Sequence, residues 1–494
     1  MEMMLGALQI LLSPKGIAIV GISVITGTII GAAPGLTSTM AIGLLIPITF
    51  TMSKYTAFMV ISGIYCGAMF GGSITAILMN IPGTPTSAVT AIEGWPMTQK
   101  GQGGIAIGVA TLSSTIGGLL SCIAFITCSL YLAKVAILFG HAEYFSLTLF
   151  AICVVIVLAT KSVLKGLISS CFGLLIGTMG IDPVAQIPRF TFGVNELLIG
   201  MPAVPACIGL FCVAEAFRMA EKKRAKVKVQ NKVSGFMLAV RQLPRLWTTI
   251  LKSSVIGIII GALPATGALM GSFIAYGEAK RKSKHPELFG TGVVEGVCAS
   301  ESANNAVTGG AMIPMLTLGI PGDPSTLLIL GAMTVQGLIP GPTLFSEQPT
   351  LVYVILGAMI LSNLIFMPTG LTLSTHIAKV ALIDYKYIMP IIAVLSITGA
   401  SIGYGHIYYF WISVGFGLLG YLCDKAGFSP LAIAMTMILG PIMELNYRSA
   451  LMLPDSGILL FLKRPISMAF LILSVLVIGF GIRRELIAKR SSRA

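Results

Sequence analysis

Charged residues are scarce in this sequence. Asp, Glu, Lys and Arg make up 10% of the 494 residues, against roughly 25% in soluble domains, and the mean hydropathy is +0.94. This scarcity excludes an ordinary soluble protein. The apolar blocks are continuous and do not alternate, which excludes barrel strands and favours helices. We therefore predict an all-α integral membrane protein with about twelve transmembrane segments, including broken ones.

Metal-binding and disulfide patterns are also missing. The chain has four histidines and no HExxH or CxxC motif, and its nine cysteines are scattered singly. We expect no zinc site, no disulfide framework and no cofactor apart from a coupling ion. Residues 1–16 lack a basic region and a small-residue cleavage site, so we interpret the first helix as retained and not as a removable signal peptide.

Acidic residues are fewer than basic ones, 18 against 32, which gives a formal net charge of +14. Nucleic acid is not the expected partner, because the basic residues flank apolar blocks. Ten Lys or Arg lie from Arg218 to Lys252 against one acid, and the tail 483–494 is basic too. Both segments are expected to be cytoplasmic. The basic run Lys280–Lys284 conflicts with this cytoplasmic assignment, since one crossing separates it from the segment that begins at Arg218. The conflict would disappear if the stretch broken at Pro264 turned back.

Two motifs occur twice in the same order. The segment GAAPGLTSTM from Gly31 matches GALPATGALM from Gly261, and IPGTPT from Ile81 matches IPGDPS from Ile320. The pattern predicts a duplication, with a first transmembrane repeat at 1–217, a basic linker at 218–252, a second repeat at 253–482 and the basic tail at 483–494. We expect the two homologous repeats to be inverted, which requires an odd number of crossings in each.

Each half contains a Pro-Gly-interrupted apolar segment, one at 73–92 and one near 306–335. Their arms are expected to be too short to cross the membrane, which predicts re-entrant helical hairpins whose tips line a cavity or are buried in protein. Thr84 before Pro85, and Asp323 before Pro324, are typical of a helix N-cap followed by proline.

Half-helices that begin at these tips would aim unpaired N–H groups at an anion such as a carboxylate. The alternative is that Thr84 and Asp323 act as caps alone. The predicted substrate-binding residues are the small, hydroxyl and amide residues at the interruptions: Thr37, Ser38, Asn80, Gly83, Thr84, Thr86, Asn304, Asn305, Gly322, Ser325 and Thr326.

Glu301, Asn304 and Asn305 share one face of a helix by their i, i+3 and i+4 spacing. An acid with two amides between apolar stretches is costly in a membrane and is a candidate site. The alternative is a helix end at the water interface. Freed carbonyls beside such groups could coordinate sodium. The predicted cation-binding residues are Ser73, Thr75, Glu301 and Asp323, and no other metal is expected.

Glycines recur every four residues at Gly27, Gly31 and Gly35 and again at Gly63, Gly67 and Gly71. Such stripes let membrane helices approach closely, so we interpret them as packing residues.

The motifs together resemble the large membrane subunit of the tripartite tricarboxylate transporters over nearly the whole chain. The resemblance is carried by PGLTSTMAI from Pro34, GGSITAIL from Gly71, NIPGTP from Asn80, RFTFG from Arg189, ESANN from Glu301, LGIPG from Leu318 and PGP from Pro340. Three positions depart from that pattern: Ala265 and Ser300 stand where Gly and Pro are frequent, and Glu93 where Asp is usual.

The resemblance implies a cation-coupled importer of di- or tricarboxylates in the bacterial inner membrane, usually sodium-linked, with an elevator-like motion. Its implied partners are a small four-helix membrane subunit and a periplasmic binding protein. Two alternatives are a passive anion channel and a membrane-embedded enzyme. For the enzyme, Ser401 lies in a GxSxG pattern, which lacks a strand-turn-helix context.

Overall fold

The computed structural model describes residues 2–160, 162–221, 235–453 and 457–491. Part of the predicted basic linker (222–234) and the end of the tail (492–494) lie outside the described residues. Apart from one short ribbon, the regular structure described is helical. The chain divides into two compact units, the first formed by 1–133 and 218–395 and the second by 134–217 and 396–494.

The first unit contains both interrupted segments. Its helices are α1 (Glu2–Leu12), α2 (Pro14–Ala32), α3 (Ser38–Thr49), α4 (Lys54–Met79), α5 (Ser87–Gln99), most of α6 (Gly103–Ala136), the end of α10 (Ala214–Glu221), α11 (Phe236–Ala262), α12 (Gly267–Lys282), α13 (Val294–Leu318), α14 (Pro324–Val335), α15 (Leu344–Glu347), α16 (Pro349–Ala378) and the start of α17 (Tyr385–Tyr404), with 3-10 turns at Pro286–Leu288 and Lys379–Leu382.

The second unit takes the rest of α6, α10 and α17. Its other elements are α7 (His141–Leu158), α8 (Val163–Gly177), the antiparallel strands β1 (Gly180–Ile181) and β2 (Pro188–Arg189), a 3-10 turn (Asn195–Ile199), α9 (Ala203–Cys207), a π-helical turn (Ile208–Val213), α18 (Tyr408–Lys425), α19 (Pro430–Leu451), α20 (Leu459–Lys463) and α21 (Pro465–Ser491). Each unit thus takes segments from both predicted halves. The division into repeats stays a prediction.

Ten helices of the described residues are long and apolar enough to cross a membrane, and four more are apolar but shorter. The chain is therefore a multi-pass membrane protein. The predicted count of about twelve segments is not confirmed.

The glycine stripes hold α2 against α4. A methyl group on Gly31 would lie 2.2 Å from the carbonyl oxygen of Ala68, and one on Gly67 would lie 2.3 Å from that of Val24. Backbones this close leave no room for a Cβ, so the interpretation as packing residues is confirmed for the five stripe glycines within α2 and α4. Gly35 lies after α2, and a Cβ there would meet the Met219 side chain.

The same turns recur in the two halves. Gly35 and Ala265, 230 positions apart, both have positive φ, +83° and +61°. Asn80 and Gly319, 239 positions apart, end α4 and α13 in the left-handed conformation. The first pair follows α2 and α11, so each half places its two backbone breaks after corresponding helices. The inverted orientation stays a prediction.

One expectation about the hairpins is wrong. The arm before the first tip is not short, because it continues back to Lys54 as the 26-residue helix α4, which is long enough to cross a membrane. Its glycines pack against α2 and need no break there. The following arm, α5, has 13 residues. Re-entry of the two hairpins into the membrane stays a prediction.

The break at Pro264 does turn the chain back. Arg245 and Lys252 on α11 line the same cavity as Lys282 at the end of α12 and Lys284 after it. The two basic segments that seemed to conflict therefore share one end of the α11–α12 pair, which removes the conflict with the positive-inside rule.

Candidate functional site

The second tip, residues 319–323, starts α14 with the predicted cap. The Asp323 carboxylate accepts hydrogen bonds from the Thr326 backbone N–H and hydroxyl, both at 2.7 Å, and the Thr326 hydroxyl accepts from the Asp323 N–H at 3.0 Å. Pro324 occupies the first turn. The other carboxylate oxygen accepts from the Tyr65 hydroxyl at 3.1 Å. The capping role of Asp323 is confirmed, while its role as a cation ligand stays a prediction.

Two helix N-termini from the two halves meet here. The Ser325 hydroxyl lies 2.9 Å from that of Ser38 and 3.1 Å from that of Thr39, at the starts of α14 and α3. Thr37 caps α3 by accepting from the Met40 N–H at 3.2 Å. Three predicted residues, Thr37, Ser38 and Ser325, therefore lie at one place, which we call the hydroxyl junction.

The first tip, residues 80–86, folds differently from the expectation at one point. Helix α5 begins at Ser87 and has no side-chain cap, so the predicted N-cap role of Thr84 is wrong. The Thr84 hydroxyl lies 2.9 Å from that of Thr86, and its carbonyl accepts from the Ser87 N–H at 3.2 Å. Pro85 starts a separate turn there, so the helix begins two residues later than the motif indicates.

The first tip is packed against the backbone of its own half. The Gly83 N–H donates to the Gly72 carbonyl at 3.4 Å. A Cβ on Gly83 would meet the Gly31 carbonyl oxygen at 2.2 Å, just as one on Gly322 would meet that of Gly261. Asn80 is exposed. The predicted substrate contacts of both glycines and of Asn80 stay predictions.

The hydroxyls of Ser73 and Thr75 bond to backbone carbonyls. Ser73 donates to Phe70 at 2.7 Å, and Thr75 donates to Ala32 at 3.1 Å. Both are fully buried. Their roles as cation ligands stay predictions.

Glu301 lies at the centre of a second polar cluster. Its carboxylate accepts from the hydroxyls of Thr90 on α5 at 2.5 Å and Ser114 on α6 at 2.9 Å. The Asn305 amide donates to Ser114 at 2.8 Å. All four side chains are almost fully buried, and Glu301 lies two turns inside α13. The alternative of a helix end at the water interface is therefore wrong.

The amide oxygens of Asn304 and Asn305 have no hydrogen-bond partner within the described part of the chain, and neither has the Ser302 hydroxyl. The Asn304 amide nitrogen donates to the Met69 carbonyl at 3.0 Å, which fixes the orientation of that amide. Unpaired buried oxygens are costly, so this face of α13 offers acceptors for a ligand.

Helix α4 connects the two clusters. Tyr65 contacts Asp323, and Met69, one turn further on, contacts Asn304. The structure thus assembles two groups from the predicted residues. Thr37, Ser38, Asp323, Ser325 and Thr326 form one, and Glu301, Asn304 and Asn305 the other. Among the described residues, no side-chain hydrogen bond joins Asn80, Thr84 or Thr86 to either group.

The sequence reasoning missed three residues of the site, Tyr65, Thr90 and Ser114, and a buried carboxylate one turn after Thr90 on α5, Glu93. Thr90 and Ser114 reach Glu301 across 211 and 187 residues of chain, so no local pattern marks them. Glu93 is buried and accepts from the Tyr276 hydroxyl and from the backbone N–H groups of Gly292 and Val293, at 2.7–2.8 Å. Glu93 stands where the family pattern usually has Asp, and this departure could have marked the residue for attention.

The second unit has an ion-pair network around the motif arginine, Arg189. This side chain pairs with both carboxylate oxygens of Glu444, at 2.6 and 3.0 Å, while Arg448 pairs with Asp182 at 2.6 Å. The Ala185 N–H and the Arg448 guanidinium hold the pKa of Asp182 well below its usual range. Such a network anchors the β1–β2 loop to α19.

Ser401 does not occupy a nucleophile elbow. It lies inside α17, and its hydroxyl donates to the Ile397 carbonyl at 3.3 Å. A serine in a regular helix with its hydroxyl on the preceding turn lacks the exposed, strained position that nucleophilic attack requires.

These observations describe a multi-pass helical membrane protein with a polar site buried among its helices. The chain belongs to the Tripartite tricarboxylate transporter TctA family, whose model matches residues 17–435. It is thus a membrane transporter subunit, and the resemblance noted from the motifs is confirmed.

Two relatives from Agrobacterium vitis are similar to the chain. One, described as an uncharacterized 52.8 kDa protein in the TAR-I ttuC' 3'region, is 36% identical over 479 residues, which are 97% of this chain and 95% of the relative. The other, an uncharacterized protein in the TAR-II ttuC' 3'region, is 32% identical over 234 residues, 47% of this chain and 97% of the relative. Comparison with solved structures finds no match.

Proposed function

We propose that this chain is the large permease subunit of a secondary importer that couples a cation, sodium or alternatively a proton, to uptake of a di- or tricarboxylate across the bacterial inner membrane. A periplasmic binding protein would deliver the substrate, and a small four-helix membrane subunit would complete the assembly. Alternating access of the elevator type is part of the proposal. The family's tripartite description supports the number of components, and its name supports the substrate class.

The cation coupling rests on Glu301. This carboxylate is fully buried, and no basic side chain of the described residues pairs with it. A charge buried without a partner is strongly unfavourable, so the group needs a cation or a proton. The unpaired oxygens of Asn304 and Asn305 lie one turn away on the same helix. Carboxylate and amide oxygens are suitable ligands for a hard cation such as sodium.

The hydroxyl junction supports an anion nearby. Helices α3 and α14 start there, with hydroxyl side chains in contact and the positive ends of two helix dipoles together. Backbone N–H groups and hydroxyls suit a carboxylate. Direct contact between the anion and Asp323 is not proposed, because the hydrogen bonds from Thr326 and Tyr65 leave its negative charge in place.

The experiment is uptake of radiolabelled citrate and succinate into proteoliposomes containing all three subunits, under an imposed sodium gradient or an imposed pH gradient. We expect uptake to require one gradient and Glu301→Gln to abolish the gradient-driven component. Equal uptake without any gradient would contradict the proposal, as would wild-type coupling in Glu301→Gln. Glu287→Gln is the control, since that exposed carboxylate lies outside both clusters, 3.2 Å from the His285 ring nitrogen.

A further inference from the structure

A cavity of about 340 Å³ lies in the first unit, beside α11, α12 and the segment that follows α12. Four of its lining side chains are Lys or Arg, and two are carboxylates. The basic residues are Arg245, Lys252, Lys282 and Lys284. The acids are Glu278 and Glu295.

The positive charge of the cavity is only partly neutralised from within. Lys282 pairs with Glu278 at 2.7 Å. Within the described residues, Arg245, Lys252 and Lys284 form no ion pair. Hydroxyls of Thr248, Ser253 and Ser283 line the same space. Three unpaired cations beside hydroxyl donors suit an anion with several oxygens, such as a phosphate.

An apolar groove of about 420 Å³ continues from this cavity. It is lined by Leu251, Val255, Ile256 and Ile274, and it shares Lys252, Glu278 and Lys282 with the basic cavity. Val255 and Ile274 are 53% and 42% exposed. Exposed apolar side chains on membrane helices are suited to contact with lipid, so the groove offers a path for a hydrocarbon chain.

We propose that the basic cavity and the apolar groove together bind one anionic phospholipid. The phosphate headgroup would lie among Arg245, Lys252 and Lys284, and an acyl chain along Val255 and Ile274. A free carboxylate or inorganic phosphate would use the cations but leave the groove unused, whereas a lipid uses both. Basic pockets next to membrane helices on the cytoplasmic side are favourable for anionic headgroups, and the basic segments that form this one are expected to be on that side.

The test uses the complete chain in detergent, titrated with phosphatidylglycerol or with zwitterionic phosphatidylcholine and followed by native mass spectrometry. We expect preferential retention of phosphatidylglycerol. The Arg245→Gln, Lys252→Gln double variant should bind it more weakly, by roughly fivefold for each basic side chain removed. The matched control is the Lys100→Gln, Arg483→Gln double variant, which loses the same charge from residues that neither line the cavity nor, among the described residues, pair with a side chain that does.

Two further variants keep the result independent of misfolding and distinguish a lipid from a free anion. Glu295→Gln removes an acid from the cavity and should tighten phosphatidylglycerol binding. Val255→Trp fills the groove and should weaken lipid binding without changing the binding of inorganic phosphate. Equal losses in the two double variants would overturn the proposal. So would unchanged lipid binding in Val255→Trp together with displacement of the lipid by inorganic phosphate, which would assign the cavity to a free anion.

Discussion

Glu301 shows how a single buried charge can be held by neutral partners. Its oxygens accept from Thr90, Ser114 and Asn305, which come from three different helices. Hydrogen bonds to a charged group contribute about 1.5–3 kcal/mol each, too little to replace the hydration of a carboxylate. This imbalance is the physical reason to expect that a cation completes the site.

The hydroxyl donors can be tested with matched pairs. Thr90→Val and Ser114→Ala should each raise the sodium concentration for half-maximal uptake by up to about tenfold. Each removes a hydrogen bond, worth about 1.5 kcal/mol, that favours the charged carboxylate, which binds sodium, over the protonated one. Thr98→Val and Ser113→Ala are the controls, because these hydroxyls are equally buried but donate to backbone carbonyls of Ile77 and Val109. Equal effects of the test variants and the control variants would show that the loss of any buried hydroxyl, and not the loss of contact with Glu301, raises the sodium concentration for half-maximal uptake.

Glu93 has a structural role that its neighbours explain. Its carboxylate holds the segment before α13 through the N–H groups of Gly292 and Val293 and is bonded by Tyr276. Glu93→Ala leaves these donors unpaired and should cost about 2–4 kcal/mol of stability. A fluorescence thermal shift would measure this loss of stability, and hydrogen exchange would measure the opening of residues 290–293. Tyr276→Phe removes one of the donors and should cost less; a larger loss than for Glu93→Ala would contradict this role.

At the scale of elements, the interrupted segments are explained by close backbone contact. A Cβ on Gly322 would meet the Gly261 carbonyl oxygen near the end of α11, and a Cβ on Gly83 would meet the Gly31 carbonyl oxygen near the end of α2. Ala265 departs from the frequent glycine at a position with positive φ, where a Cβ is unfavourable by about 1 kcal/mol. Both tips therefore require glycine, which has no side chain, at the points of close backbone contact.

Gly322→Ala tests this contact. The new Cβ would lie 2.2 Å from the Gly261 oxygen, so the second tip must shift, at a cost of about 1–3 kcal/mol. We expect a lower melting temperature and a loss of uptake. Gly277→Ala is the control: Gly277 is exposed in α12 with nothing within 4 Å of a new Cβ, so this change should stabilise the chain by up to about 1 kcal/mol. Similar behaviour of the two variants would contradict the packing argument.

At the scale of the whole molecule, stability should depend on pH through Asp182. Its pKa is depressed in the folded chain, chiefly by the Ala185 N–H and then by Arg448, so the unfolded chain binds this proton more readily. The stabilisation is complete above the usual aspartate pKa of about 4 and is lost as the pH falls towards the depressed value. Thermal melts from pH 6 to pH 3 should show this loss. In Asp182→Asn the loss should be smaller, and an unchanged pH dependence would contradict the assignment.

The division into compact units could not be predicted from the order of the motifs. The duplication suggested two consecutive halves, but each unit combines segments of both. Contacts between the halves explain why: α3 meets α14 through Ser38 and Ser325, and α5 meets α13 through Thr90 and Glu301, and these helices all belong to the first unit. Hydropathy identifies apolar helices but carries no information about which of them pack together.

The membrane class, the helical structure, the two interruptions, the cap at Asp323 and the family could all be predicted from the amino-acid sequence, because composition, proline, glycine and capping residues act locally. It also indicated the polar face of Glu301, Asn304 and Asn305, since spacing within one helix is a local property. The three-dimensional fold was needed to show that Thr90 and Ser114 surround Glu301, that Ser38 meets Ser325, and that the chain turns back at Pro264. Those contacts join residues far apart in the chain, and packing, not local preference, brings them together.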